Sequence, residues 1–208
     1  MKKVINCHQE NNPVINKKLK EVSVEEGRLI ATELFQILNK RKDGIGLASN
    51  QVGIDAQVAV VNVREPIILI NPKIIDQWEE VPYYEGCLSF PGQAIRTKRY
   101  RNIVVKSADV DCQYYFSAAG SPKGAKGSWE TSAKHDQDQR LLEAICVQHE
   151  IDHLMGKTIH DREKNLEPVK SEKKIGRNDL VTIKKGDAVK VLKYKKVQNL
   201  LNQGWVLE

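Results

Sequence analysis

The apolar positions between residues 24 and 40 follow the period of an α-helix. They lie one, three or four residues apart and share one helical face: Ile30, Leu34, Ile37 and Leu38. Ser23 and Glu26 stand just before them with the spacing of a capping box, which predicts where the helix begins. The basic run at residues 40–42, followed by Asp43 and Gly44, predicts where it ends.

Other segments have the short, β-branched character of strands. Strands are predicted at residues 58–63, 67–70 and 102–110. Residues 112–138 are rich in Gly, Ser, Ala and charge, which predicts a long surface loop or hairpin tip. Helical spacing returns from Gln139 onward, at Leu141, Leu142 and Ile145, and predicts a second helix that also carries His149.

The composition is typical of a globular protein with one main core. The chain has 208 residues, of which 40% are hydrophobic and 29% charged. No apolar run approaches the ~18 residues of a membrane helix, and the start MKKVINCHQENNP has no apolar segment behind its lysines. Four scattered cysteines without a CxxC pair are typical of reduced thiols. We therefore expect a cytoplasmic protein that has no membrane partner.

The excess positive charge lies near the C-terminus. Residues 164–196 contain eleven Lys and Arg against four Asp and Glu, whereas the rest of the chain contains 22 against 23. Within this basic part, VTIKKG and AVKVLKY predict two strands, and VQNLLNQGW predicts a short helix. We expect a main domain at residues 1–165 and a small basic appendage at residues 170–208.

The stretch VQHEIDHLMGKTIHD, residues 147–161, carries the clearest chemical signal. His149 and His153 lie four residues apart, so on a helix both imidazoles face the same side and can bind one ion. Glu150 stands beside the first histidine, where it can move a proton to or from a metal-activated water. Many metalloproteases share this pattern, so a metalloprotease is an alternative. The identity of the third metal ligand has to distinguish it from other metal-dependent hydrolases.

A protease lacks a convincing third ligand in this chain. The pattern HExxHxxGxxH would place a histidine at position 159, which is Ile159, and His160 comes one residue late. No methionine follows Met155, so the later Met-turn of those proteases is also missing. Cys87, in YYEGCLSFPG, is the better candidate, because a thiolate and two imidazoles leave a fourth position open on Zn²⁺ or Fe²⁺.

Three segments together resemble the signature motifs of the peptide deformylases, which remove the formyl group from the N-terminal methionine of new proteins. The segments are GIGLASNQVG at residues 44–53, EGCLSFPG at residues 85–92 and QHEIDHL at residues 148–154. The resemblance implies an α+β fold with short antiparallel sheets around a central HExxH helix. It also implies an active site assembled from all three segments.

The family resemblance assigns chemical roles to individual residues. It makes Cys87, His149 and His153 the ligands of one divalent ion and Glu150 the general acid/base for attack of metal-bound water on the formyl carbonyl. It gives the side-chain amide of Gln51 and the N–H of Leu88 to the oxyanion. The family commonly uses Fe²⁺, which is the expected physiological ion, and accepts Zn²⁺, Ni²⁺ or Co²⁺.

The resemblance also implies how the substrate is held. Backbone contacts along an added peptide strand are expected at Ile45, Gly46 and Gly86. The methionine pocket is expected to be lined by four residues: Tyr83, Leu142, Ile145 and Cys146.

The expected partners follow from this activity and from the basic appendage. They are formyl-methionyl nascent peptides, with no sequence-specific nucleic acid, and a monomer is expected. The appendage either contacts ribosomal RNA through its lysines or serves as a solvated spacer. A metalloprotease, and an inactive protein that only binds metal or peptide, remain the competing interpretations.

Overall fold

The chain forms two compact units, at residues 1–164 and 165–208. A computed structural model describes residues 2–118, 134–163, 180–185, 188–197, 200 and 206–207. The helices and strands of the first unit are, in chain order, α1 (Val24–Leu38), β1 (Gly46–Ala48), β2 (Val58–Asn62), β3 (Pro66–Ile70), β4 (Lys73–Cys87), β5 (Phe90–Lys106), β6 (Gln113–Ser117) and α2 (Lys134–Leu154). Those of the second unit are β7 (Leu180–Lys185), β8 (Ala188–Lys193) and β9 (Val206–Leu207).

Helix α1 begins where the capping pattern predicts. The hydroxyl of Ser23 accepts a hydrogen bond from the backbone N–H of Glu26 at 3.2 Å, which satisfies one of the unpaired donors at the helix start. The helix ends at Leu38, and its buried face includes Ala31 and Leu34.

Strand β2 lies at the centre of an antiparallel sheet with the order β1-β2-β3. Its alternate side chains enter two different hydrophobic clusters. Val58 and Val60 pack with α1, while Ala59 and Val61 pack with α2. Because both faces are covered, this strand is a nearly continuous hydrophobic run.

The second sheet, with the order β4-β5-β6, corrects the predicted strand pattern. The strand expected at residues 102–110 is the end of the 17-residue β5, which pairs with the 15-residue β4 in a long hairpin. The prediction of a loop at residues 112–138 is partly wrong, because residues 113–117 form β6, which pairs with β5. Residues 119–133 of that prediction lie outside the described part of the chain.

Helix α2 is the central helix that the resemblance implies. It begins at Lys134 rather than near Gln139, and its second half is buried against the strands of both sheets. The helix stops because Gly156 adopts a left-handed conformation with φ 72°. A Cβ at this position would lie 2.6 Å from the backbone carbon of Lys17, so the close approach of the N-terminal segment also requires glycine.

In the second unit, the two predicted strands are confirmed as β7 and β8. The sheet has the order β8-β7-β9, and Ile183 of β7 is buried in it. The helix predicted at residues 197–205 lies mostly outside the described residues. Across the described ranges, the longest helices are too short or too polar to cross a membrane.

Candidate metal centre and active site

Three side chains from two elements converge at the buried end of β4. Cys87 is the last residue of that strand, and His149 and His153 lie one turn apart on α2. His153 Nε2 is 3.3 Å from Cys87 Sγ and 3.2 Å from His149 Nε2. All three donor atoms lie within 4.8 Å of one another, and all three residues are buried.

This donor set fits a divalent transition metal. Burial opposes a charge on His149, but its hydrogen bonds to Cys87 and Glu85 outweigh burial and raise its pKa well above the ordinary value. Its Nδ1 is 2.8 Å from Glu85 Oε2, so Glu85 holds the proton on Nδ1, and Nε2, which faces the other two donors, is the nitrogen that a metal would bind. Burial lowers the pKa of His153 well below its ordinary value, so its ring is neutral and able to bind a cation. A thiolate with two imidazoles is a typical set for Zn²⁺ or Fe²⁺.

Arg99 forms the polar support beneath the ligands. From the sequence, Arg99 could keep a basic role near the site or be an exposed arginine without a partner; the second interpretation is wrong, because the residue is only 2% exposed. Its Nε and Nη2 donate to the two carboxylate oxygens of Glu85 at 2.6 and 3.0 Å, and its Nη1 bonds to Asp152. Burial opposes ionisation of Glu85, but hydrogen bonds from His149 and Arg99 outweigh it and lower the pKa of Glu85 to about 2. The carboxylate therefore stays ionised and holds His149 in place.

Glu150 directly follows the proposed metal ligand His149 in the chain, and one of its carboxylate oxygens is available to accept a proton. Its Oε2 is buried and lacks a hydrogen-bond partner among the described residues. Burial, reinforced by the charge of Glu85, raises the pKa of Glu150 to about 7. A carboxyl group with that pKa can both accept and donate a proton near neutral pH.

Gln51 presents a donor to the same space. It lies in a short 3₁₀ turn at Ser49–Val52, where its Oε1 accepts the backbone N–H of Ala48 at 2.9 Å. That bond fixes the orientation of the amide, so Nε2 points to Cys87 Sγ at 3.5 Å and to Ser89 Oγ at 3.4 Å.

A cleft of about 420 Å³ opens beside these groups. It is lined by Gln51, Cys87, Leu88, His149 and Glu150 together with all seven residues expected at the substrate: Ile45, Gly46, Tyr83, Gly86, Leu142, Ile145 and Cys146. His153 alone among the expected site residues lies behind the wall of the cleft.

The wall of the cleft that β1 forms depends on Gly46. A Cβ at this position would lie 2.6 Å from Cys146 Sγ and would also collide with Glu150 Oε1. Strand β1 can therefore approach α2 closely enough to form one wall of the cleft only because residue 46 has no side chain.

The sequence did not single out four further lining residues, Arg41, Asp43, Tyr84 and Gln93. They come from the turn before β1, from β4 and from the start of β5, and no local pattern marks them. His160, which a protease pattern would nearly use, lies outside the donor cluster and packs against the ring of Phe90 at 4.9 Å.

Comparisons with known proteins show which family this chain is similar to. Residues 2–169 match the polypeptide deformylase family. The peptide deformylase of Dictyoglomus thermophilum is 37% identical over 168 residues, which cover 78% of this chain and 94% of that protein. The crystal structure of peptide deformylase from Thermotoga maritima aligns with a TM-score of 0.60 at 27% identity, over 79% of this chain and 98% of that one. A peptide deformylase from Synechococcus elongatus, solved in complex with actinonin, aligns with a TM-score of 0.58 at 27% identity, over 80% of each chain.

The buried thiolate and imidazole donors, with a carboxylate beside them in an α+β fold, define a metal-dependent hydrolase. The chain belongs to the polypeptide deformylase family. Its activity is the removal of formyl groups from newly made polypeptides. The family prediction, the fold class and the enzyme class made from the sequence are confirmed.

Proposed function

We propose that Cys87, His149 and His153 hold one divalent ion, and that Fe²⁺ is the physiological one. The proposal is carried by the convergence of the three donor atoms within 4.8 Å. One thiolate and two imidazoles accept Fe²⁺, Zn²⁺, Ni²⁺ or Co²⁺, so the choice of Fe²⁺ rests on the resemblance to the family. When bound, the ion supplies Lewis acidity and makes a water acidic enough to act as the nucleophile at neutral pH.

Glu150 moves the proton in this proposal. Its buried Oε2 faces no competing partner among the described residues, so it can accept the proton of the attacking water. The same oxygen then gives the proton to the departing amine of methionine. The bond broken is the one between the formyl carbon and that nitrogen, and the products are formate and a free amino terminus.

Gln51 and Leu88 stabilise the negative charge that grows on the formyl oxygen. The Nε2 of Gln51 is oriented by the bond from Ala48 to its Oε1, so the donor is in place before the substrate arrives. Leu88 directly follows Cys87 and lines the cleft, which supports the assignment of its backbone N–H to the same oxygen.

The proposed mode of peptide binding is supported by two strands that lie at the edges of their sheets. β1 and β4 are both terminal strands of their sheets, and their ends line the same cleft. A peptide inserted between them as an added strand can bond to the backbone of Ile45, Gly46 and Gly86. The methionine side chain then enters the pocket formed by four residues: Tyr83, Leu142, Ile145 and Cys146.

Deformylation and proteolysis are separated by one assay. Anaerobically purified protein loaded with Fe²⁺ or Ni²⁺ is incubated with formyl-Met-Ala-Ser, and formate and free amine are measured together. An unformylated internal peptide of the same composition serves as the control. We expect equal amounts of formate and amine and an intact control peptide; cleavage of the internal peptide would show a protease instead.

We propose further that residues 1–165 are the catalytic domain of a cytoplasmic monomer and that residues 170–208 form a basic appendage that contacts the ribosome. The chain divides into compact units close to this boundary, and the exposed lysines of the second unit include Lys185 and Lys193. Lys and Arg clusters bind phosphates without reading sequence. Deleting residues 170–208 should lower salt-sensitive co-sedimentation with ribosomes and leave turnover of formyl-Met-Ala-Ser unchanged. Unchanged co-sedimentation would remove this part of the proposal.

A further inference from the structure

A charged pair at the mouth of the cleft has no role in the reaction as described so far. Arg41 and Asp43 lie in the turn between α1 and β1, and both line the cleft. Arg41 Nε bonds to Asp43 Oδ1 at 3.0 Å and Nη2 bonds to Oδ2 at 2.8 Å. This two-point contact holds the guanidinium in one orientation, in contrast to the usual freedom of a surface arginine.

The direction of β1 indicates that a bound peptide extends toward this pair. The strand runs from Gly46 toward Gln51, whose amide faces Cys87. A peptide with its formyl end at Cys87 therefore extends back along β1, past Ile45 toward Asp43 and Arg41. In the proposed binding mode the peptide bonds to the backbone of Ile45 and Gly46, so the residues that follow methionine extend toward the pair at about 3.3 Å per residue.

The turn that carries Arg41 and Asp43 has a net positive charge. Residues 40–43 read Lys-Arg-Lys-Asp, with three positive charges against one negative. The Arg41 side chain is 34% exposed and that of Asp43 is 66% exposed, so water screens the carboxylate more than the guanidinium. Asp43 uses two of the five N–H donors of Arg41, and three remain for an acceptor in the cleft. Glu85, which also lines the cleft, is paired with Arg99.

We propose that Arg41, oriented by Asp43, is a specificity-determining residue that favours acidic side chains in the two positions after the formyl-methionine. The inference rests on the proposed mode of peptide binding. An acidic side chain gains a charge-assisted bond to the guanidinium, while a basic side chain at the same position is repelled by it. The enzyme thereby acts faster on nascent chains with an acidic N-terminal sequence.

The test compares three amidated tetrapeptides, formyl-Met-Glu-Glu-Ala, formyl-Met-Gln-Gln-Ala and formyl-Met-Lys-Lys-Ala. Amidation matters because a free C-terminal carboxylate would itself bind Arg41. The quantity measured is kcat/KM at low and at high salt for the wild type, for Arg41→Ala and for Arg28→Ala. Arg28 lies on the exposed side of α1 and is the matched control, because its removal takes away the same net charge outside the cleft.

The wild type is expected to prefer the Glu peptide over the Lys peptide by roughly three- to tenfold at low salt, with a smaller ratio at high salt. Arg41→Ala should bring this ratio close to one, whereas Arg28→Ala should keep it. A wild-type ratio near one, or a ratio that survives in Arg41→Ala, would overturn the assignment while hydrolysis of the Gln peptide still upheld deformylation. Failure to hydrolyse all three peptides would instead refute the proposed function, and the assignment with it.

Discussion

Arg99 is the residue whose removal tests the buried support of the metal centre most sharply. It is 2% exposed and lies between two carboxylates, Glu85 on β4 and Asp152 on α2. The replacement Arg99→Met keeps most of the side-chain volume and removes only the charge and the donors. Glu85 then loses its arginine, while Asp152 keeps its bonds to Arg162.

The magnitude follows from the burial of the pair. Removing one partner of a buried ion pair costs about 3–5 kcal/mol, because the other charge remains desolvated. For a unit of this size, 1 kcal/mol corresponds to roughly 2–4 °C in Tm, so we expect a fall of roughly 6–20 °C. The measurement is the free energy of unfolding from urea titration, with Tm from circular dichroism as a second reading.

Arg162 provides the matched control, because it bonds to the same Asp152 at 2.6 and 2.8 Å from a side chain that is 38% exposed. Solvent screens this pair, so Arg162→Met should cost only about 0–1 kcal/mol. Replacing Glu85 by Gln in the Arg99→Met background should recover part of the loss, because one uncompensated charge disappears. If Arg99→Met destabilises the protein no more than Arg162→Met, the reasoning from burial is refuted.

Three further changes test separate parts of the account. Gly156→Ala should lower the free energy of unfolding by more than the ~1–2 kcal/mol of a left-handed residue, because its Cβ also contacts the N-terminal backbone. Gly92→Ala, with φ 79° and open space around the Cβ, should lower it only by that conformational cost. Equal losses in the two variants would contradict this reasoning. Gln51→Ala should lower kcat on formyl-Met-Ala-Ser about 10²–10³-fold at unchanged metal content, and a fall of less than about tenfold would remove its oxyanion role. Elemental analysis should show that Cys87→Ser has lost most of the bound metal, whereas Cys112→Ser, at an exposed position, keeps one equivalent. Equal metal content in the two variants would argue against Cys87 as a ligand.

The elements that the sequence predicts well are those with a local periodic signal. α1 has a capping residue and an apolar stripe, and β2 is a continuous apolar run because helices cover both of its faces. β4 was missed because most of its side chains are exposed, so that it lacks the alternation of a half-buried strand. β6 was not predicted, because it lies at the edge of a segment whose Gly and Ser content is typical of a loop.

The same distinction applies to the site. His149, Glu150 and His153 follow from helical spacing, whereas Cys87 and Gln51 needed the family resemblance, since they come from other elements. The sequence left two roles open for Arg99, because its partners are 14 and 53 residues away in the chain and only the packing of β5 against α2 reveals them.

The charged residues at the mouth of the cleft illustrate the other limit of the sequence. Arg41 and Asp43 were taken only as signals for the end of a helix. Their position at the cleft depends on where the following strand, β1, packs against α2, which no local pattern reports.

The most direct test of the whole account compares kcat of the wild type and Glu150→Gln on formyl-Met-Ala-Ser, with both proteins shown to contain one equivalent of metal. Glu150 lies beside the ligands without being one of them, so the substitution should spare the ion and remove only the proton transfer. We predict that formate release falls about 10²–10⁴-fold. A variant that keeps its metal and turns over within about tenfold of the wild type would contradict the proposed chemistry of the site.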